Sequence, residues 1–196
     1  DTVHQRGILF GEWPQGIHRC TIEILFRGTL LAEGHGLFHH SSHSVNYVES
    51  HEGYTVGDFI RTALKHDRHH HQQDHEQEAE HDIEGGIEQE VIRLQKLAGF
   101  MLFVSQGICM IHAGQEWARS KAIASNENQG TTYDHDSYNK DSDVNYLNFD
   151  EKDRSMELFT YYKRLIEIRN EHNALKNSAP EAIVFKVYQD PLHITF

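Results

Sequence analysis

Several residue types are scarce in this 196-residue chain, and each scarcity excludes something. Two cysteines, Cys20 and Cys109, cannot build a disulfide framework and lack metal-type spacing; a bridge between them has no support in the sequence. No run reaches about 18 apolar residues, so no membrane-spanning helix is expected. Basic residues are few: 18 Lys and Arg stand against 30 Asp and Glu, a formal net charge of −12. That field repels phosphate, so neither nucleic acid nor an anionic membrane is expected as a partner, while neutral sugars are left open. The chain opens on Asp1 with no signal-peptide pattern, and the compartment, cytoplasmic or secreted, stays undetermined. The length suits one domain but falls short of the roughly 250 residues of a complete (β/α)8 barrel.

What is present centres on residues 45–61, VNYVESHEGYTVGDFIR. A short apolar run, Val45 to Val48, ends in polar Glu49-Ser50-His51-Glu52. Gly53 then turns the chain into an amphipathic stretch with Phe59, Ile60, Ala63 and Leu64 on one side. This pattern predicts a buried strand that delivers polar side chains at its carboxyl end, followed by a helix. Gly7 to Trp13 (GILFGEW) predicts a second buried strand ending in a carboxylate and an aromatic ring. Thr21 to Leu31 fits a helix or a strand equally.

Gly85-Gly86 predicts a break, and Ile87, Val91, Leu94 and Leu97-Ala98 then repeat at helical spacing up to a stop at Gly107. Ile108 to Ile111 predicts another short buried strand, with Cys109 as a small buried side chain. Residues 117–153 are polar and aperiodic, a loop rich in tyrosine and amides. Leu158, Tyr161-Tyr162, Leu165 and Ile168 mark an amphipathic helix that Asp153 or Ser155 can cap. Two strands are expected at 182–188 and 192–196. The chain holds 17 histidines, six of them between 66 and 81, and His71 and His75 could share a helix face. No closed ligand set is spaced there, so that stretch reads as a charged, solvated excursion; no metal and no cofactor are expected.

The motifs at 7–13, 45–61, 100–119 and 138–149 resemble, in order, those of the α-amylase family of glycoside hydrolases (family 13). The wording is most similar to pullulanase- and isoamylase-type debranching enzymes. The resemblance implies an α/β fold: the C-terminal part of a (β/α)8 TIM barrel, strands 5 to 8, over 1–176. A linker and the first hairpin of a C-terminal β domain would follow over 177–196. It implies Glu12 as general acid/base, Glu52 at the position of the third acid, and His51 bonding a sugar hydroxyl beside it. Trp13, Tyr54, Asn139 and Asn145 become candidate sugar contacts, since aromatic faces stack on sugar CH groups and amides bond hydroxyls. The implied ligand is an α-glucan polysaccharide or oligosaccharide, and the implied reaction is retaining hydrolysis, with α-1,6 bonds favoured. Glu116, in the Gly-Gln-Glu of that family, is implied to be structural.

The sequence departs from the family at three points. No Arg-x-Asp motif precedes Glu12, so the nucleophile is absent. Glu52 stands where the family has Asp, and one extra methylene moves a carboxylate by about 1.5 Å where catalysis tolerates about 0.5 Å. Only 40 positions separate Glu12 from Glu52, against roughly 62 for two barrel units. The expectation is a debranching-type glycosidase inactive as this isolated chain, with the missing N-terminal half of the barrel as a partner. The alternative is a non-catalytic α-glucan-binding or interaction module; a His-rich metal-binding protein is the remote third reading. Open strand edges predict marginal stability, dimerisation or aggregation.

Overall fold

A computed structural model of the chain describes residues 7–12, 19–31, 34, 36–71, 80–123, 132–188 and 193–195. In chain order the elements are α1 (Arg19–Phe26), β1 (Val45–Asn46), α2 (Val56–His71), α3 (Glu80–Val104), β2 (Ile108–Cys109), β3 (Ala122–Ile123), β4 (Thr132–Tyr133), α4 (Asp150–Arg154), α5 (Met156–Glu171), α6 (Ala174–Asn177), β5 (Lys186–Tyr188) and β6 (His193–Thr195). They fall into two compact units. The first comprises Asp1–Pro14, Val48–Gly99 and Ile111–Arg164; the second comprises Gln15–Tyr47, Phe100–Met110 and Leu165–Phe196.

In the first unit the apolar faces of α2, α3 and α5 form the core. Ile60 and Ala63 of α2, Val91 and Leu94 of α3, and Leu158 and Tyr162 of α5 are all buried. These are the residues that the helical spacing singled out, and each fully buried large apolar side chain contributes about 1.5–3 kcal/mol. Tyr162 carries its polar tip into this core. Gln115 Nε2 donates to its hydroxyl at 3.1 Å. Gly99 leaves room for the Tyr162 ring, since a Cβ there would lie 2.7 Å from Cζ. Burial pushes the Tyr162 phenol well above the usual tyrosine range. The start of α2 is doubly satisfied: Thr55 Oγ1 accepts from Asp58 N at 3.0 Å, and Glu49 Oε2 accepts from Val56 N at 2.6 Å.

In the second unit β1 pairs in parallel with β2, Val45 opposite Ile108 and Asn46 opposite Cys109. Parallel strands require a long crossover, and here α2 and α3 lie between them in sequence. Gly28 lets the chain after α1 approach closely. Its φ is +66°, and an added Cβ would sit 2.1 Å from Gln106 O. Arg169 of α5 is 7% exposed, and its Nη atoms donate to backbone carbonyls. Nη1 donates to Phe103 O (2.6 Å), Ser105 O (2.8 Å) and Leu175 O (2.8 Å), and Nη2 donates to Gly107 O. These carbonyls lie at or just past the end of α3 and within α6, where helices leave acceptors unpaired. β5 and β6 form an antiparallel pair, shorter than the two expected strands.

Cys109 is a free, half-buried thiol, and its Sγ donates to Leu102 O at 3.2 Å. Burial raises its pKa above the usual cysteine value, with the Arg169 charge opposing. A raised thiol holds less thiolate at neutral pH, and the thiolate is the reacting form. Alkylation by iodoacetamide at pH 7.5 is expected to be about tenfold slower than for a free cysteine peptide, and to recover that rate in urea. A native rate equal to the unfolded rate would contradict the burial.

Several expectations need correction. Residues 7–13 do not give a strand: Ile8–Phe10 is a 3-10 turn, closed by Phe10 N to Gly7 O and Gly11 N to Ile8 O. Gly7 and Gly11, both at positive φ, let the apolar run curl back on itself. Gly85-Gly86 does not break the chain, because α3 runs through both. The strands at 45–48 and 108–111 are not buried: Val45, Tyr47, Ile108 and Met110 are each more than a third exposed. A parallel pair has two faces, and these alternate residues share the uncovered one. The 117–153 stretch contains the antiparallel β3–β4 pair and α4. The ambiguous 21–31 stretch contains α1. Much of the histidine-rich stretch lies outside the described residues, and among the described residues no metal-type cluster occurs.

Candidate active site

Beyond β1 the chain runs through Glu49, Ser50, His51 and Glu52 and turns at Gly53, whose φ of +75° suits glycine. Three of these polar side chains separate by role. Glu49 is 4% exposed and serves the fold: besides Val56 N, its carboxylate meets His112 Nδ1 at 3.2 Å. His51 and Glu52 project outward, with side chains 69% and 72% exposed and His51 Nε2 3.9 Å from Glu52 Oε1. The Tyr138 ring lies 6.3 Å from the His51 ring. An exposed carboxylate, an imidazole and a phenol ring thus stand together, which suits a hydroxyl-rich ligand.

A second loop, 132–146, supports the first. Gly53 N donates to His135 O at 3.0 Å, and the Tyr54 and His135 rings lie 5.3 Å apart. Asp134 accepts from Asp136 N at 2.9 Å and from Lys140 Nζ at 2.7 Å. The Lys140 hydrogen bond holds the Asp134 carboxyl below the usual carboxylate range. Asn145 spends its amide on this loop: Nδ2 donates to Ser137 O (2.6 Å) and Lys140 O (2.7 Å), and Oδ1 accepts from Ser137 Oγ (2.9 Å). Asn139, two residues past Ser137, is exposed. Glu116 Oε2 accepts from Gly114 N at 3.1 Å.

Of the other sequence-derived candidates, Glu12 is exposed and follows the 3-10 turn, where Phe10 packs edge-on against Phe59 of α2 at 6.4 Å. Trp13 lies outside the described residues. Sequence reasoning missed Tyr138 as the ring beside His51, and it missed Lys121. Lys121 is 1% exposed, and its Nζ donates to His51 O at 3.0 Å. Neither contact leaves a local signal, because each joins segments far apart in the chain. A separate cavity of about 900 Å³ in the same unit is lined by Arg61, Lys65, Trp117, Tyr133 and Arg154 among others. None of the described candidate site residues lines it, and Glu88 and Glu157 bridge cations on its wall.

No protein-family model matches the chain. Individual proteins do. A pullulanase from Bacillus subtilis (strain 168) is 28% identical over 135 residues, 69% of this chain and 15% of the relative. Isoamylase SU1, chloroplastic, from Zea mays is 30% identical over 144 residues, 68% of this chain and 17% of the relative. Among solved structures, a pullulanase from Anoxybacillus sp. LM18-11 complexed with maltotriose superposes with a TM-score of 0.64 at 28% identity, over 96% of this chain and 22% of that one. The class is therefore an α/β chain similar to α-amylase-family TIM-barrel enzymes. Within that class its homologues are pullulanases and isoamylases, the debranching enzymes of glycoside hydrolase family 13. The chain spans less than a fifth of the length of these curated relatives.

Proposed function

We propose that this chain is the C-terminal part, strands 5 to 8, of the (β/α)8 barrel of an α-glucan debranching glycosidase, with 177–196 opening a C-terminal β domain. The observation that carries the reading is the parallel β1–β2 pair joined through α2 and α3, with His51 and Glu52 following the first strand. Barrel enzymes place their chemistry at that end of the strands. The exposed face bearing Val45, Tyr47, Ile108 and Met110 fits the same reading, since the inner face of a barrel is filled by its other strands.

In this reading Glu12 protonates the leaving oxygen and then deprotonates water. Glu52, with His51, bonds hydroxyls of the sugar at the oxocarbenium-like centre. A nucleophilic carboxylate from a segment outside this sequence completes retention. Tyr54, Tyr138 and Asn139 line the sugar path, and α-1,6 bonds of branched α-glucan are the substrate. The named pullulanase complexed with maltotriose supports an α-glucan ligand.

The test is reducing-sugar release from pullulan and soluble starch, by the chain alone and by the chain mixed with or fused to the upstream half of a pullulanase barrel. The chain alone is expected to release nothing. The completed barrel is expected to hydrolyse pullulan, to lose about 100-fold or more with Glu12→Gln, and to gain about tenfold with Glu52→Asp, which withdraws the carboxylate by one methylene. A completed, folded barrel that neither cleaves pullulan nor binds maltotriose would end the proposal.

A further inference from the structure

We propose that Lys121 is the positioning residue of the sugar-facing site, holding the His51–Glu52 loop through the carbonyl of His51; this assignment rests on the glucan-binding reading above. Lys121 ties together the segments that make the site. Its Nζ donates to His51 O at 3.0 Å. Its backbone N donates to Asp58 Oδ2 at 2.7 Å, in the first turn of α2. Its own carbonyl accepts from Asp134 N at 2.9 Å, at the start of the loop that carries His135 and Tyr138. One residue therefore fixes the His51–Glu52 loop, the helix behind it and the facing loop.

Burying an ammonium at 1% exposure is costly unless a specific contact offsets it. The groups acting on it are Arg119, which repels it, and Glu49, Asp134 and Asp58, which attract it; none of the three acids is hydrogen-bonded to Nζ in the described contacts. Burial and Arg119 together lower the Lys121 pKa below the usual lysine value. The direct acceptor of Nζ is the His51 carbonyl, one residue before Glu52. A carboxylate and an imidazole on a turn closed by glycine are displaced easily when that carbonyl is released. Displacements of about 1 Å at such groups cost about 100-fold in function.

The experiment uses the full chain with Lys121→Met, and with Lys121→Gln as a shorter polar replacement that cannot reach His51 O. Three readouts are taken: the NMR shifts of the His51 ring and the Glu52 amide, the ring assigned through His51→Gln; maltotriose affinity by NMR titration; and the urea midpoint. Tyr162→Phe serves as a control that destabilises the core away from the loop. Both Lys121 variants are expected to move the His51 ring and Glu52 amide NMR shifts and to weaken maltotriose binding about tenfold. Tyr162→Phe should lower the urea midpoint and leave both signals in place. Should the Lys121 variants lower the midpoint while the folded protein keeps the wild-type His51 and Glu52 shifts and affinity, Lys121 is merely structural and the proposal is overturned. Should Lys121→Met fail to fold, Lys121→Gln decides on the same readouts. Should the unsubstituted chain bind no maltotriose, the glucan reading fails separately, and the His51 and Glu52 shifts alone decide the role of Lys121.

Discussion

Arg169→Met is expected to lower the unfolding free energy by on the order of 3–5 kcal/mol, because it leaves several buried carbonyls without their donor. Methionine fills much of the volume of the stem, so packing is largely preserved. What disappears is the guanidinium fork that gathers the carbonyls of Phe103, Ser105, Gly107 and Leu175. Each buried acceptor left without a donor costs about 1–3 kcal/mol, reduced where water can enter. Arg169→Lys should recover part of the loss, since an ammonium supplies three donors but not the planar fork. Urea unfolding followed by far-UV circular dichroism measures both variants. A loss below about 1 kcal/mol for Arg169→Met would show that water or local rearrangement satisfies those carbonyls.

Asp58→Ala is expected to cost about 3 kcal/mol in the first unit, by a different route. Asp58 is fully buried. Oδ2 accepts from Lys121 N at 2.7 Å, and Oδ1 accepts from Arg61 Nη1 at 3.1 Å. Arg61 is also held by Glu88, with Nε–Oε1 at 2.7 Å and Nη2–Oε2 at 2.8 Å. Burial works against the Arg61 charge, but the Glu88 hydrogen bond and the charges of Glu88 and Asp58 outweigh it and raise its pKa above the usual arginine value. Removing the Asp58 carboxylate orphans the Lys121 amide, while Arg61 keeps Glu88. Asp58→Asn should cost less, because one acceptor oxygen is retained. The check is chemical denaturation of wild type, Asp58→Ala, Glu88→Ala and the double variant. Asp58 and Glu88 share Arg61, so a coupling energy near zero would contradict the network.

The helices were legible where packing obeys local spacing. Ile60 and Ala63, Val91 and Leu94, and Leu158 and Tyr162 are buried as their periodicity predicts. The site turn was legible for a related reason: apolar run, polar tetrad, glycine and amphipathic helix follow one another directly at 45–61. Reading failed where a contact remote in sequence decides. Gly85-Gly86 would each weaken a helix by about 1 kcal/mol, yet α3 continues into a segment whose Ile87 and Val91 are buried. GILFG fits a strand by hydrophobicity, and two glycines at positive φ make it a turn. Arg169 reads as one more charge on a helix of alternating charges, and Lys121 as one more polar loop residue. Both are buried because acceptors arrive from elsewhere in the chain: Phe103, Ser105, Gly107 and Leu175 for one, His51 for the other. The tetrad 49–52 looked uniform in sequence, and only the path of α2 distinguishes the buried Glu49 from the projecting Glu52.

The β1–β2 pair also bears on the order in which the chain can assemble. Val45 meets Ile108 only after both intervening helices have been spanned. The entropy of closing so long a loop must be met before the pair gains anything from its hydrogen bonds. Isolated hairpins form in microseconds, whereas this pairing must wait for α2 and α3 to condense. Refolding should therefore show helical signal ahead of protection of the Ile108 and Met110 amides, whose acceptors are Ser44 O and Asn46 O.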